Sequence, residues 1–452
     1  MKSLKEVSVA TGIPEKELKR LIALPYGKGV LPRGISRRSI GFSKEVFSAL
    51  KEEMKEDLKS NRKDAQKHIN TAFNLILCNL VISTISHKRL SLSGSEKDYN
   101  KETYLNNLFL TYRAVHKVTS ALIKHKYLKF KKGSKVKKEV NSYQPTKKLE
   151  LMLFPLIYEI QEEYSGKDNE LIIFIHEVAV ANAVTDAVID SANSRSKGTT
   201  KNHTMRRRSY YPDLPEDHPD RVGLRRINEY LKDVTYALKS PVKRIYSHND
   251  PMQGGRLYTR LQGLPDRRAR VRINTLFNGK PVAEVDLSAN HPRMLMALDK
   301  KKLPTNFYDD IAAKTKTTRD QVKFLVTRAI GASSRRISLK PDDVEKDWYT
   351  TDFVITPKQR IEIEEAIKLV VPELFEKFYK GNGIYMQALE GDILLKSMLD
   401  LADQDIPSLP IHDAIYVQRR HKTQAKKALE KAWMEVLGVG FKPAIKVDLA
   451  QQ

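Results

Sequence analysis

Val282-Ala283-Glu284-Val285-Asp286-Leu287-Ser288 reads as a β-strand running into an acidic end, and Pro292 to Leu298 then turns helical. Much later, Ser408-Leu409-Pro410-Ile411-His412-Asp413-Ala414-Ile415-Tyr416-Val417 reads as a hairpin, two apolar strands with His-Asp at the tip. Each segment places one carboxylate at a strand end. Two such aspartates, brought together by a sheet, suit a pair of hard divalent ions, which prefer carboxylate oxygens and keep phosphate oxygens as remaining ligands. A metal pair lowers the pKa of an attacking hydroxyl and stabilises the leaving oxygen.

Between the two aspartates lies Thr317-Thr318-Arg319-Asp320-Gln321-Val322-Lys323-Phe324-Leu325-Val326-Thr327-Arg328-Ala329-Ile330-Gly331, a helical pattern with Thr317 or Thr318 as its N-cap. Arg319 and Lys323 are four apart, so both cations project from one face, and the helix N-terminus adds its own positive potential. That face suits a triphosphate and the charge of a leaving pyrophosphate, although alone such a pair is an ordinary solvated face. Upstream, Met252-Gln253-Gly254-Gly255-Arg256-Leu257-Tyr258 combines glycines that permit close backbone approach with an arginine suited to a phosphate or a minor-groove base edge. Arg267, Arg268, Arg270 and Arg272 extend this basic track.

The composition agrees with a polyanionic partner. The 452 residues carry 80 Lys and Arg against 55 Asp and Glu, a net charge of +25. A chain this basic concentrates nucleic acid at its surface, although a charged membrane surface fits on charge alone. With 40% hydrophobic residues, 19 Tyr and 14 Phe, wholesale disorder is excluded. The longest apolar stretch, Leu75 to Ile85, is interrupted by Cys78, Asn79, Ser83 and Thr84 and is too short to span a bilayer. No long apolar run follows Met1, so a secretory signal is not expected. A single cysteine excludes an internal disulfide framework and a thiolate-rich metal site. These features describe a soluble, intracellular, basic protein.

The N-terminal half reads helical and basic. Leu4 to Ile22 fits two short helices around Gly12, a pattern shared by helix-turn-helix units and by any helical hairpin. Phe42 to Ser86 keeps helical spacing, and Ser91 to Tyr99 is a turn-rich break. Thr111 to Lys126 is helical, followed by a strand at 127–130, a basic tip at 131–138 and a second strand at 142–149. Helix, strand, basic loop, strand is the order of a winged helix, and also of a solvated basic hairpin beside a core helix. Ser191 to Asp220 reads as a linker or long loop. Its Arg206-Arg207-Arg208 beside Tyr210 and Tyr211 suits single-stranded nucleic acid, where charges track phosphates and rings stack on bases. The expected division is 1–60 (small, helical), 61–165 (helical with the winged helix), 166–240 (linker and thumb-like helices) and 241–452 (the remaining core).

Taken in order, Gly255-Arg256-Leu257-Tyr258, Asp286-x-Ser288-x-x-x-x-Arg293, Arg319-x-x-x-Lys323 and His412-Asp413 resemble the palm and fingers of family A DNA polymerases and the related single-subunit phage-type RNA polymerases. The helix Tyr385-Met386-Gln387-Ala388-Leu389-Glu390-Gly391-Asp392 also resembles the Gln-bearing helix before the His-Asp turn of that superfamily. The resemblance covers about Ile245 to Asp448. It implies an α+β right-hand fold of palm, fingers and thumb, the thumb around Val222 to Leu238. It further implies a magnesium-dependent DNA polymerase of compact phage or plasmid replicase type, extending a primer with dNTPs.

By that resemblance Asp286 and Asp413 bind two Mg²⁺ ions, for which Mn²⁺ substitutes, with the Leu287 carbonyl as a third ligand. Arg319 and Lys323 hold the triphosphate, Lys323 protonates pyrophosphate, and Arg256, Tyr258, Gln387, His412 and Arg293 contact the primer–template. The expected partners are DNA, dNTPs and replication proteins, with no membrane, for a monomer in a bacterial host's cytoplasm at the nucleoid.

The chain departs from the family in three places. Ile330-Gly331 or Gly331-Ala332 stands where the family has Tyr-Gly, so the mode of base-pair closure and sugar selection is different. The interval between the aspartates is short, so finger insertions are reduced. His291 stands where the DNA enzymes have Glu and the RNA enzymes Gly; its bulk suits exclusion of a 2′-hydroxyl. No clustered carboxylates for an exonuclease stand in the N-terminal half. Two other readings fit the same residues: a single-subunit RNA polymerase or primase, favoured by the missing Glu, and a DNA-binding initiator with an inactive palm.

Overall fold

The computed structural model describes residues 4–23, 44–86, 89–92, 94, 96–99, 110–133, 141–153, 156, 171–179, 204–208, 214–247, 250–264, 270–341 and 353–450. Helices and strands are mixed along the chain. The helices are α1 (Leu4–Thr11), α2 (Glu15–Ala23), α3 (Lys44–Glu53), α4 (Lys55–Leu58), α5 (Lys63–Ser86), α6 (Glu96–Tyr99), α7 (Tyr112–Lys124), α8 (Lys147–Leu153), α9 (Pro219–Tyr230), α10 (Asn290–Leu298), α11 (Phe307–Thr315), α12 (Arg319–Gly331), α13 (Pro357–Val370), α14 (Pro372–Phe375), α15 (Gly383–Ala402) and α16 (Lys422–Leu437). The strands are β1 (Leu90–Ser91), β2 (Leu128–Lys131), β3 (Ser142–Pro145), β4 (Ile172–Ala179), β5 (Thr204–Arg208), β6 (Lys243–Ser247), β7 (Asp250–Tyr258), β8 (Leu276–Phe277), β9 (Lys280–Leu287), β10 (Ser408–Ile411), β11 (Ala414–Gln418) and β12 (Ile445–Leu449).

Among the described residues the strands form three sheets. The one that matters most runs β10-β11-β9-β12, with β8 attached to β9. All its pairings are antiparallel. β9 is central, and its period-2 alternation sends Val285 and Leu287 into the core while Glu284 and Asp286 share the other face. The β10–β11 hairpin is buried along its full length, as expected of short continuous apolar runs. Helix α15 lies between this sheet and the β6–β7 ladder, burying Met386, Ile393, Leu394 and Met398. Helix α16 covers the same sheet with Leu429, Trp433 and Leu437.

A second sheet, β5-β4-β6-β7, pairs β4 with β6 in parallel and the others antiparallel. It brings Thr204–Arg208 into a strand, where a continuous loop was expected from Ser191 to Asp220; 191–203 and 209–213 lie outside the described residues. The third sheet, β1-β3-β2, sits beside α5 and α7. Here the second strand stops at Pro145 instead of reaching residue 149. Leu149 and Leu153 are both buried four residues apart, so the period changes to helical and α8 begins. Of the basic tip, 134–138 lie outside the described residues. The stretch 222–238 is helical only in its first part: α9 ends at Tyr230, and Tyr236 bridges to Phe277.

The two ends of 1–60 pack on different neighbours. The Gly12 carbonyl, at a turn with φ of +65°, accepts the Leu276 N–H at 2.6 Å, and Asn274 Nδ2 donates to Glu17 at 3.2 Å. Asp57, in contrast, accepts from Lys124 at 2.7 Å and pairs with His125 at 2.8 Å, while the Tyr127 hydroxyl donates to Glu53 at 2.5 Å. Among the described residues no helix is long and apolar enough to cross a membrane.

Candidate active site

The ladder of the main sheet brings the two predicted aspartates together. Ala414 is the register partner of Asp286, so Asp413, in the β10–β11 turn, sits beside the end of β9. The Leu287 N–H donates to the Asp413 carbonyl at 3.2 Å. Glu284, two residues earlier on the same face, is paired with Arg272 at 3.1 Å, while Asp286 stands at the strand mouth. The backbone around them is unusual: Ala289 and His412 both hold left-handed conformations, with φ of +49° and +54°. These bends turn the chain abruptly from β9 into α10 and from β10 into β11.

Two carboxylates close together in a partly buried site resist ionisation. Burial, and then the Asp413 charge, hold Asp286 well above the usual carboxylate range, with Lys323 opposing. Asp413 is raised by burial and by Glu390, with Arg256 and His291 opposing. Among the described residues there is no group of three or more His, Cys, Asp or Glu side chains that could hold a metal. The donor set is therefore two carboxylates and nearby backbone oxygens. It fits a hard divalent cation whose other ligands are water or phosphate oxygens, and it fits a thiolate- or imidazole-bound metal poorly.

Helix α12 supplies the cations. Thr318 caps it in a reciprocal box: its hydroxyl oxygen accepts the Gln321 N–H at 3.2 Å, and Gln321 Oε1 accepts the Thr318 N–H at 2.9 Å. Val322, Leu325, Val326 and Ala329 bury one face, leaving Arg319 and Lys323 exposed on another. Lys323 is near enough for its charge to act on Asp286. Arg319 lies over the Tyr308 ring, 5.5 Å from its centroid, and 3.4 Å from Asp309.

Arg256 and His291 meet at a residue that the sequence patterns did not single out. Glu390, fully buried on α15, accepts from Arg256 Nε at 2.6 Å and Nη2 at 3.2 Å. Its Oε2 also lies 3.1 Å from His291 Nε2 and 3.3 Å from Asn290 Nδ2. Asn290 Oδ1 is buried with no hydrogen-bond partner among the described residues. The available signal for Glu390 was a pair of acidic residues, Glu390 and Asp392, set within the otherwise apolar run from Ala388 to Leu395.

The remaining predicted residues separate. Gln387 and Tyr258 are half-buried on α15 and β7, and His412 is exposed at the turn. Arg293 was expected on nucleic acid, but its guanidinium is turned inward. It donates to the carbonyls of Ser288, Leu303, Pro304 and Thr305 at 2.8–3.2 Å, and so ties the start of α10 to the loop before α11. The Leu287 side chain is buried, so only its backbone is available to a ligand.

No protein-family model matches this sequence, and no curated protein matches it. Among solved structures, the chain is similar to the POL domain of Pol1 from M. smegmatis in complex with DNA primer-template and dNTP. The match has 11% identity and a TM-score of 0.30, over 96% of this chain and 69% of the other. That score is too low to establish a common fold.

Proposed function

We propose that this chain is a template-directed DNA polymerase with a family A-like palm, extending a primer 3′-hydroxyl with dNTPs. The observation that supports the reading is the pairing of Asp286 and Asp413 at adjacent strand ends, both resisting ionisation, within electrostatic reach of Lys323. In this reading residues 241–452 form palm and fingers. The α9 region serves as thumb, and α7 with β2 and β3 forms a winged helix on duplex DNA.

Asp286, Asp413 and the Leu287 carbonyl would hold two Mg²⁺ ions, or Mn²⁺ in their place. Bound there, the ions would acidify the primer hydroxyl and screen the charge of the leaving group. Arg319 and Lys323 bind the triphosphate, whose negative charge grows on the β-phosphate side as the reaction proceeds. The primer 3′-oxygen forms its bond to the α-phosphorus while the bridging bond to the β-phosphate breaks. Lys323 donates a proton to the departing pyrophosphate. Arg256, Tyr258, Gln387 and His412 follow the primer–template duplex.

The test is extension of a labelled primer on a DNA template with dNTPs or NTPs in parallel, using Asp413→Asn as the blank. Extension with dNTPs that disappears in the variant is expected. Synthesis that survives Asp413→Asn removes the metal assignment, and extension with NTPs alone moves the chain to the RNA polymerases. No product, with DNA binding retained, leaves the initiator reading in its place.

A further inference from the structure

Glu390 is a carboxylate where an apolar helix should have none. Its side chain is 1% exposed, and a charge that deep is tolerated only when donors surround it. The donors come from two other elements: Arg256 from β7, and His291 with Asn290 from the first turn of α10. Arg256 Nη2 and His291 Nε2 are themselves 3.4 Å apart, so the two side chains are held as one unit across a single carboxylate. Burial pushes Glu390 up, but the His291 hydrogen bond and the Arg256 charge outweigh it and hold the group below its usual range. The unit adjoins the reaction centre, since Glu390, Arg256 and His291 all bear electrostatically on Asp413.

A ring that must reject one hydroxyl has to be stiff. An imidazole free to change rotamer moves aside for an oxygen atom, whereas one whose Nε2 is bonded to a buried carboxylate gives up that bond to move. His291 is 19% exposed, so part of its ring remains open at the surface while Nε2 is anchored inside. We propose that Glu390 is a positioning residue for sugar selection, fixing His291 and Arg256 together so that the anchored imidazole excludes a ribonucleotide's 2′-hydroxyl beside Asp413. This rests on the polymerase reading above and adds to it the residue that makes the gate rigid.

The test measures kcat and KM for one dNTP and its ribonucleotide in the full chain and in Glu390→Gln, Glu390→Asp, His291→Ala and the double variant His291→Ala/Glu390→Gln. In Glu390→Gln the dNTP/rNTP ratio of kcat/KM should fall by about tenfold or more, chiefly through better use of the ribonucleotide. Glu390→Asp keeps the charge, which preserves folding, but its shorter arm cannot reach both partners; its ratio should fall between the two. The double variant should discriminate no worse than His291→Ala alone, because both changes remove the same restraint. An unmoved ratio in Glu390→Gln or Glu390→Asp overturns the proposal, and so do fully additive effects in the double variant. Wild-type protein that extends with neither nucleotide overturns the polymerase reading itself. Wild-type synthesis with an unmoved ratio overturns only the role of Glu390.

Discussion

Arg244 and Arg256 occupy the two strands of one ladder, opposite Leu257 and Ile245, and both reach carboxylates on α15. Arg244 is closed in. It donates to Asp220 at 2.5 Å, Asp392 at 2.6 Å, the Gly255 carbonyl at 2.8 Å and the Ala388 carbonyl at 3.1 Å, and it lies over the Tyr246 ring. The Tyr246 hydroxyl closes the circuit by donating to Asp220. Arg256 keeps a quarter of its side chain exposed and shares Glu390 with His291, next to Asp413. The closed network joins α9, the β6–β7 ladder and α15, so it serves architecture. The open one hands an ordered pair of side chains to the site.

Between Glu390 and Asp392 stands Gly391, where a Cβ would lie 2.0 Å from the Gly255 carbonyl oxygen. Backbone therefore meets backbone at the point from which both networks fan out. Gly255 needs its own freedom as well, with φ of +73° and the Tyr246 ring 2.7 Å from any added Cβ.

Cutting each network should separate architecture from function. Arg244→Leu removes a fully buried guanidinium and takes the main cation from the largely buried Asp220 and the half-exposed Asp392, and it should cost about 3–5 kcal/mol in urea unfolding. Arg256→Leu leaves His291 and Asn290 on Glu390, so it should cost less, about 1–3 kcal/mol, while sharply reducing primer extension. Equal losses from the two variants would erase the distinction drawn here.

A smaller effect of opposite sign is expected at Asp286. Its folded pKa is raised, so the folded state binds more protons than the unfolded state above the ordinary carboxylate range. The metal-free protein should therefore lose stability as pH climbs from about 4 towards neutrality, with the penalty absent below that range. Asp286→Asn should flatten this dependence and gain about 1–2 kcal/mol at neutral pH in a chelator, while abolishing synthesis. Added Mg²⁺ should raise the melting temperature of the wild type and not of the variant. A wild-type melting temperature that rises with pH in chelator would refute the repulsion between the aspartates.

What could be read from the sequence was local. The β9 strand, the β10–β11 hairpin and the α12 cap announce themselves within a dozen residues, through apolar runs, a turn and a Thr-x-x-Gln box. The meeting of Asp286 with Asp413 required the further step of a sheet that joins them. Glu390 and Arg244 were missed because their partners lie far along the chain. Arg256 pairs with Glu390, and Arg244 with Asp392, across more than a hundred intervening residues. Arg293, read from the sequence as a contact for nucleic acid, is instead held by the carbonyls of 303–305, which belong to a loop with no pattern of its own.

The hydrogen bond from Leu276 to Gly12 carries a consequence for how the chain is made. Val7, Ile13 and Leu18 are fully buried in the finished fold, and the hairpin that bears them rests on the turn before β9. A ribosome reaches that turn on the order of tens of seconds after it has finished the hairpin. Through that interval the apolar face of the hairpin lacks this seat, and an unseated surface of this kind attracts chaperones or other nascent chains.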